Sequence, residues 1–154
     1  MQQQEFTGIY AHNIDPKGRV TIPAAYRAAL GQGFTLGMNH QFTAMALYPR
    51  DDWQEISARL DDVPLSDARA FAYVRLIKAF AYRDQQLDGQ GRLLLPATLR
   101  EKAHAEKSIT FVGAGRLLEI WDSRSFDAFC AQTASGLEEL ADYVNNRYYA
   151  PRID

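Results

Sequence analysis

Apolar positions in this chain fall into short alternating or continuous runs broken by Asp, Pro and Gly, and into longer stretches where they recur every three to four residues. Ile9, Ala11 and Ile14 lead into Asp15-Pro16-Lys17-Gly18, and Val20 and Ile22 follow it. Leu87 leads into Asp88-Gly89-Gln90-Gly91, and Leu93 to Leu95 follow. Each Asp-x-x-Gly suits a type I turn closed by a left-handed residue: the Asp accepts local backbone hydrogen bonds, Pro16 presets φ, and the Gly takes the positive φ of a three-residue loop. The pattern predicts two equivalent β-hairpins. Pro23 and Pro96 end the outgoing strands, because proline holds its predecessor extended and suits the first turn of a helix. Short helices are predicted over 24–30 and 97–103. Strand pairs follow over 34–38 with 44–48 and over 109–112 with 117–121, the second joined by Gly113-Ala114-Gly115. Helices over 51–60 and 123–133 end the two series.

Two further stretches carry helical periodicity. Ser66 opens a capped segment to Phe80 with Phe71, Val74, Ile77 and Ala81 on one stripe. Leu137, Leu140 and Val144 align in the same way near the end of the chain, and 148–154 has no clear structure. Tyr73 and Phe80 are candidates for a subunit contact, because the connecting helix is richer in apolar groups than one face of a small barrel requires.

The pattern is a duplication. Asp15-x-x-Gly18-Arg19-x-x-x-Pro23-x-x-x-Arg27 returns as Asp88-x-x-Gly91-Arg92-x-x-x-Pro96-x-x-x-Arg100, a step of 73 residues that also carries Leu47-Tyr48 onto Ile120-Trp121 and Trp53 onto Phe126. The copies divide the chain into 1–81 and 82–154. A lone hairpin is marginal in water, so the copies must share one core and form one compact domain. The economical arrangement is an α+β fold: a small closed or nearly closed barrel with strands of both halves interleaved about a pseudo-twofold axis, helices outside.

Composition supports a real core, with 154 residues of which 47% are hydrophobic. The net charge of −2 and the sequence pI of about 5.9 announce no nucleic-acid partner, which leaves local clustering to decide. Cys130, the single cysteine, sits between apolar neighbours and reads as a buried thiol in a reducing compartment. No run approaches a membrane span, so a cytoplasmic protein is expected. His12, His40 and His104 are isolated, so no metal is expected. With no phosphate loop and no nucleophile motif, neither a cofactor, a small-molecule substrate nor an enzyme is expected.

Turn chemistry accounts for the Asp, Pro and Gly positions but not for Arg19 or Arg92. One reading is a salt bridge across the neck of each loop, Asp15 to Arg19 and Asp88 to Arg92. The other is a tight turn that projects a planar cation toward a phosphate or a guanine edge, the Asp fixing its rotamer.

The doubled signature resembles the swapped-hairpin AbrB-type DNA-binding domains. With Ala46-Leu47-Tyr48-Pro49 in one copy and Glu119-Ile120-Trp121-Asp122 in the other, the chain is similar to the MraZ family of bacterial transcription regulators over roughly 6–129. The resemblance implies a pseudo-dimeric, double swapped-hairpin barrel and a ring-shaped homo-oligomer. It also implies a sequence-specific repressor, cytoplasmic and nucleoid-associated, that binds double-stranded DNA at short direct repeats upstream of its own division and cell-wall genes. The family's Asp-x-x-x-Arg motif falls on Asp15 with Arg19 and on Asp88 with Arg92. Lys17 adds a basic residue to the first copy where the second has Gln90. Arg27 and Arg100 match the last arginine of the signature, and either touch DNA or brace the barrel. The alternative function is a non-catalytic interaction module that assembles into rings without specific DNA binding.

Overall fold

The structure is a computed structural model that describes residues 5–149. It falls into two compact units divided between Ser123 and Arg124.

The first unit holds β1 (Ile9–Asn13), β2 (Arg19–Thr21), α1 (Ala24–Leu30), β3 (Phe34–Met38), β4 (Met45–Tyr48), α2 (Arg50–Asp61) and α3 (Ala68–Ala79). It continues with β5 (Tyr82–Gln85), β6 (Arg92–Leu94), α4 (Ala97–Lys102), β7 (Ser108–Gly113) and β8 (Leu118–Asp122). Six strands form an antiparallel sheet in the order β1-β7-β8-β4-β3-β5, and β2 with β6 forms a separate two-stranded ribbon. Each strand of the first copy has its counterpart in the second, and the sheet order reads the same from either edge once counterparts are exchanged. The centre of that exchange lies at Ala46, which faces its own counterpart Glu119 across the β4–β8 ladder. In the ribbon, Val20 likewise faces Leu93.

The two predicted hairpins do not form as hairpins. Both turns are closed, by Asp15 N–H to the Arg19 carbonyl at 2.8 Å and Asp88 N–H to the Arg92 carbonyl at 3.0 Å, but beyond them the arms part. β1 pairs with β7, β5 with β3, and β2 with β6, so these ladders join strands of different copies. The cause is burial. Pairing across copies sets Val20 opposite Leu93 and sends both into one core with Ile22, Leu95, Phe34 and Phe111. Interleaving of the two halves, expected from the sequence, is thus present, whereas among the described residues hydrogen bonding leaves β1 and β5 at the edges and the sheet open.

The copies are not identical. Tyr82 stands one residue farther from Asp88 than Tyr10 does from Asp15, and the extra residue appears as a register shift in the β3–β5 ladder with Asp84 at φ 57°. β4 is buried on both sides: Met45 and Leu47 enter the shared core, while Ala46 and Tyr48 pack with Trp53, Leu60, Val74 and Ile77 under α2 and α3. Buried Asn39 is satisfied from both copies, donating to Thr43 Oγ1 and to Glu119 Oε2 at 2.9 Å each. Asp67 rather than Ser66 caps α3, accepting from Ala70 N–H. Phe80 is half-buried against Phe42 at 5.4 Å between ring centroids, while Tyr73 is exposed.

The second unit comprises the rest of α5 (Ser123–Ala134), then α6 (Leu137–Val144), continued by one π-helical turn (Asn145–Tyr149). None of these helices has a buried residue. Cys130 is exposed, not buried: its apolar neighbours lie on a helix of which no residue is fully buried. Tyr148 and Tyr149, expected to be unstructured, complete the π turn, and 150–154 lie outside the described residues. Among the described residues no helix is long and apolar enough to cross a membrane.

Candidate nucleic-acid interface

Each turn is built around one carboxylate. Asp15 Oδ1 accepts from the backbone N–H of Lys17 at 2.9 Å and of Arg19 at 2.8 Å, and its Oδ2 accepts from Arg19 Nε at 2.9 Å. Asp88 repeats this with Gln90 N–H and Arg92 N–H at 2.9 Å and Arg92 Nε at 2.8 Å. The Arg19 and Arg92 amides, foremost, hold the carboxyls of Asp15 and Asp88 below the usual aspartate value; the guanidinium groups and the Lys17 and Gln90 amides add to this, against some desolvation.

The salt-bridge reading and the ligand reading are therefore compatible. Each bridge uses Nε alone, and among the described residues the two terminal guanidinium nitrogens of Arg19 and of Arg92 have no other protein partner. What remains on each is the planar two-nitrogen edge that suits a phosphate or a base.

The ribbon sets both arginines on one face. Val20 and Leu93 point to the core, so Arg19, Thr21, Arg92 and Leu94 share the outer side. Arg19 lies opposite Leu94 and Arg92 opposite Thr21, which makes the arginines diagonal neighbours, with Cα atoms on the order of 7–8 Å apart by antiparallel geometry. Lys17 is exposed at the tip of the first turn, where the second carries Gln90.

Arg27 and Arg100 do different work. Arg27 Nε donates to the Ile22 carbonyl at 2.8 Å and Arg100 Nε to the Leu95 carbonyl at 3.0 Å, each within its own copy. Their guanidinium ends reach across. Arg100 lies 3.2 Å from where a Cβ on Gly18 would sit, and the Arg27 guanidinium occupies the place a Cβ on Gly91 would need. The backbone is crossed in the same way, Leu95 N–H bonding to the Gly18 carbonyl and Ile22 N–H to the Gly91 carbonyl at 2.9 Å each. Gly18 and Gly91, at φ 83° and 75°, thus serve both the turn and the approach of an arginine from the other copy. This reciprocity is not visible locally in the sequence; its trace is that both arginines recur at the same step as the glycines they cover.

Apart from Asp15 and Asp88, many of the carboxylates lie on elements away from the ribbon. Asp51, Asp52 and Asp61 are on α2, Asp62 caps its end, and Glu138 and Glu139 are on α6. Arg116 ties Asp52 at 2.9 Å and Glu55 at 2.6 Å. Among the described residues no group of three or more His, Cys, Asp or Glu is placed to hold a metal ion.

Comparison with known proteins finds relatives over most of the chain. The family model described as "MraZ protein, putative antitoxin-like" matches residues 6–76 and again 81–144. A protein of Thermoanaerobacter sp. (strain X514) named "Transcriptional regulator MraZ" is 37% identical over 141 residues, covering 90% of this chain and 96% of the relative. Its namesake in Carboxydothermus hydrogenoformans is 38% identical over 139 residues, covering 89% and 94%. That of Lactiplantibacillus plantarum is 40% identical over 139 residues, covering 89% and 96%.

Proposed function

The chain belongs to the MraZ family, and from that membership and the geometry of its two turns we propose that it is a sequence-specific DNA-binding transcription regulator. The observation that carries the reading is the pair of Nε-tethered arginines on one outer ribbon, each with its terminal nitrogens unoccupied among the described residues. Arg19 and Arg92 contact the duplex, joined by Lys17. Asp15 and Asp88 fix the arginine rotamers, and Arg27 with Arg100 hold the turns in place from beneath. The exchanged strands are those of an AbrB-like double swapped-hairpin barrel in which the copies 1–81 and 82–154 act as the two protomers of a pseudo-dimer.

The protein assembles with itself into a ring and represses from short direct repeats upstream of its own division and cell-wall genes, as a cytoplasmic, nucleoid-associated factor. The acid pI supports assembly as the source of affinity, since several weak contacts on tandem boxes act at high effective concentration.

Binding to DNA from the gene's own upstream region, followed against salt, tests this. Log affinity falls with log salt, and Arg19→Ala or Arg92→Ala weakens binding at least tenfold and lowers the slope by about one while fold and assembly persist. Wild-type protein that shows no preference for that region, or variants that bind as wild type does, would sink the reading in favour of an interaction module.

A further inference from the structure

Two helices in this chain carry exposed apolar faces of opposite charge. On α6 and its π turn, Leu137, Leu140, Val144 and Tyr148 recur at three-to-four spacing, and all are exposed. The charged groups of α6 are Glu138, Glu139 and Asp142, with no basic residue, and the π turn adds the single cation Arg147. α3 is the reverse. Its charged groups are Arg69, Arg75 and Lys78, with no acidic residue. Beside it runs a groove lined by Asp61, Leu65, Phe71, Arg75, Lys78 and Ala79, and Ala68 and Ala72 on the same helix extend its small exposed side chains into an alanine floor. Asp61 in that groove is already neutralised by Lys78 Nζ at 2.9 Å. Arg69 and Arg75 on one helix, and Glu138, Glu139 and Asp142 on the other, have no ion-pair partner among the described residues. The lengths also agree, since 12 residues of α3 and the 13 from Leu137 to Tyr149 each span about 20 Å.

We propose that α6 of one chain docks on the α3 groove of a second copy, its leucines and Val144 over the alanine floor and its carboxylates beside Arg69 and Arg75. Comparison of the two helix pairs supports a second copy as the occupant. α2 and α3 bury Trp53, Leu60, Val74 and Ile77, whereas no residue of α6 is buried, so α6 presents an apolar face that the described residues do not cover. Each chain then offers one acidic and one basic surface. The contact is head-to-tail, and it propagates until the rotation closes, which gives the assembly reading above its structural joint and rests on that reading.

Charge reversal separates the two proposals. Arg69→Glu with Arg75→Glu makes one variant, and Glu138→Lys with Asp142→Lys makes another; all four positions are exposed, so circular dichroism of each matches wild type. In sedimentation velocity, wild type runs as a multiple of 17.4 kDa, each variant alone as a single 17.4 kDa chain, and an equimolar mixture recovers the wild-type assembly, because each reversed helix then finds its complement on the other variant. Wild type assembled with both variants unchanged overturns this interface and leaves the assembly reading standing, and variants that dissociate without recovery on mixing overturn it too. Wild type at 17.4 kDa overturns both, the second unit then being covered by its own chain or by nothing.

Discussion

At the scale of single residues, the aspartates of the two turns matter as acceptors before they matter as charges. The largest influence on each carboxyl is a backbone amide, with the arginine side chain secondary. Because Asp15 and Asp88 have folded-state values below the ordinary 3.8, the stabilisation they give is complete above that value and disappears as pH falls through the lowered one. Carboxyl carbon shifts followed by NMR should therefore titrate with midpoints under 3.8 for both residues, and a midpoint at or above it contradicts the tether. Asp15→Asn keeps the amide contacts in part and loses the charge facing Arg19, so DNA affinity at neutral pH drops several-fold with little change in fold.

A second residue-scale contrast comes from the duplication. Gly31, past the end of α1, has φ 67° and ψ −161°, a region open to glycine alone, and its counterpart after α4 is His104 at φ 56°. A Cβ on Gly31 meets nothing within 4 Å, so Gly31→Ala tests backbone strain without a clash and costs about 1–3 kcal/mol in denaturant unfolding. His104→Gly relieves strain and gains up to about 1 kcal/mol. Phe42 at φ 60° and its counterpart Gly115 at φ 81° likewise share a positive φ under different side chains.

At the scale of elements, the turns are coupled through the arginines beneath them. Arg100→Ala should speed hydrogen exchange at the amides of Gly18 and Arg19, in the first copy, and Arg27→Ala at those of Gly91 and Arg92, in the second. Faster exchange confined to the mutated copy would contradict the crossing. Gly91→Ala costs roughly 2–3 kcal/mol from strain and displacement of Arg27, and Arg27→Ala recovers about 1 kcal/mol of it in a double-mutant cycle. This level was only half legible in the sequence. Turn, proline and helix positions follow from local chemistry, and the strands stand close to their expected places. Which strand pairs with which does not, because Val20 and Leu93 have the same preference for burial in a local hairpin as in a ribbon between copies. Only the shared core chooses. Arg19 and Arg92 stand out in the sequence as arginines the turns do not need, whereas the contacts of Arg27 with Gly91 and of Arg100 with Gly18 join residues 64 and 82 apart and are not legible there.

At the scale of the molecule, no copy can complete its own sheet. The ladders β1–β7, β3–β5 and β2–β6 all cross between copies, as does β4–β8 at the centre. Fragments 1–81 and 82–154 made separately should each lack near-UV circular dichroism and cooperative melting, and mixing them should restore both. A fragment that folds alone as a monomer would mean that the ladders between copies are dispensable. The exposure of Cys130 belongs to this scale too: neighbours in sequence suggest burial, but burial is decided by what covers a helix, and no residue of α5 is buried.

The ribbon carries one more consequence, at its tips. A probe with perfect twofold symmetry meets a duplex alike from either end and cannot tell one orientation of a box from its reverse. Here Lys17 crowns one turn and Gln90 the other. On the reading proposed above, the cationic tip has the stronger hold on the phosphates, so the protein has a heading on the duplex, and a row of boxes all pointing one way is the target that such a compass needle would follow.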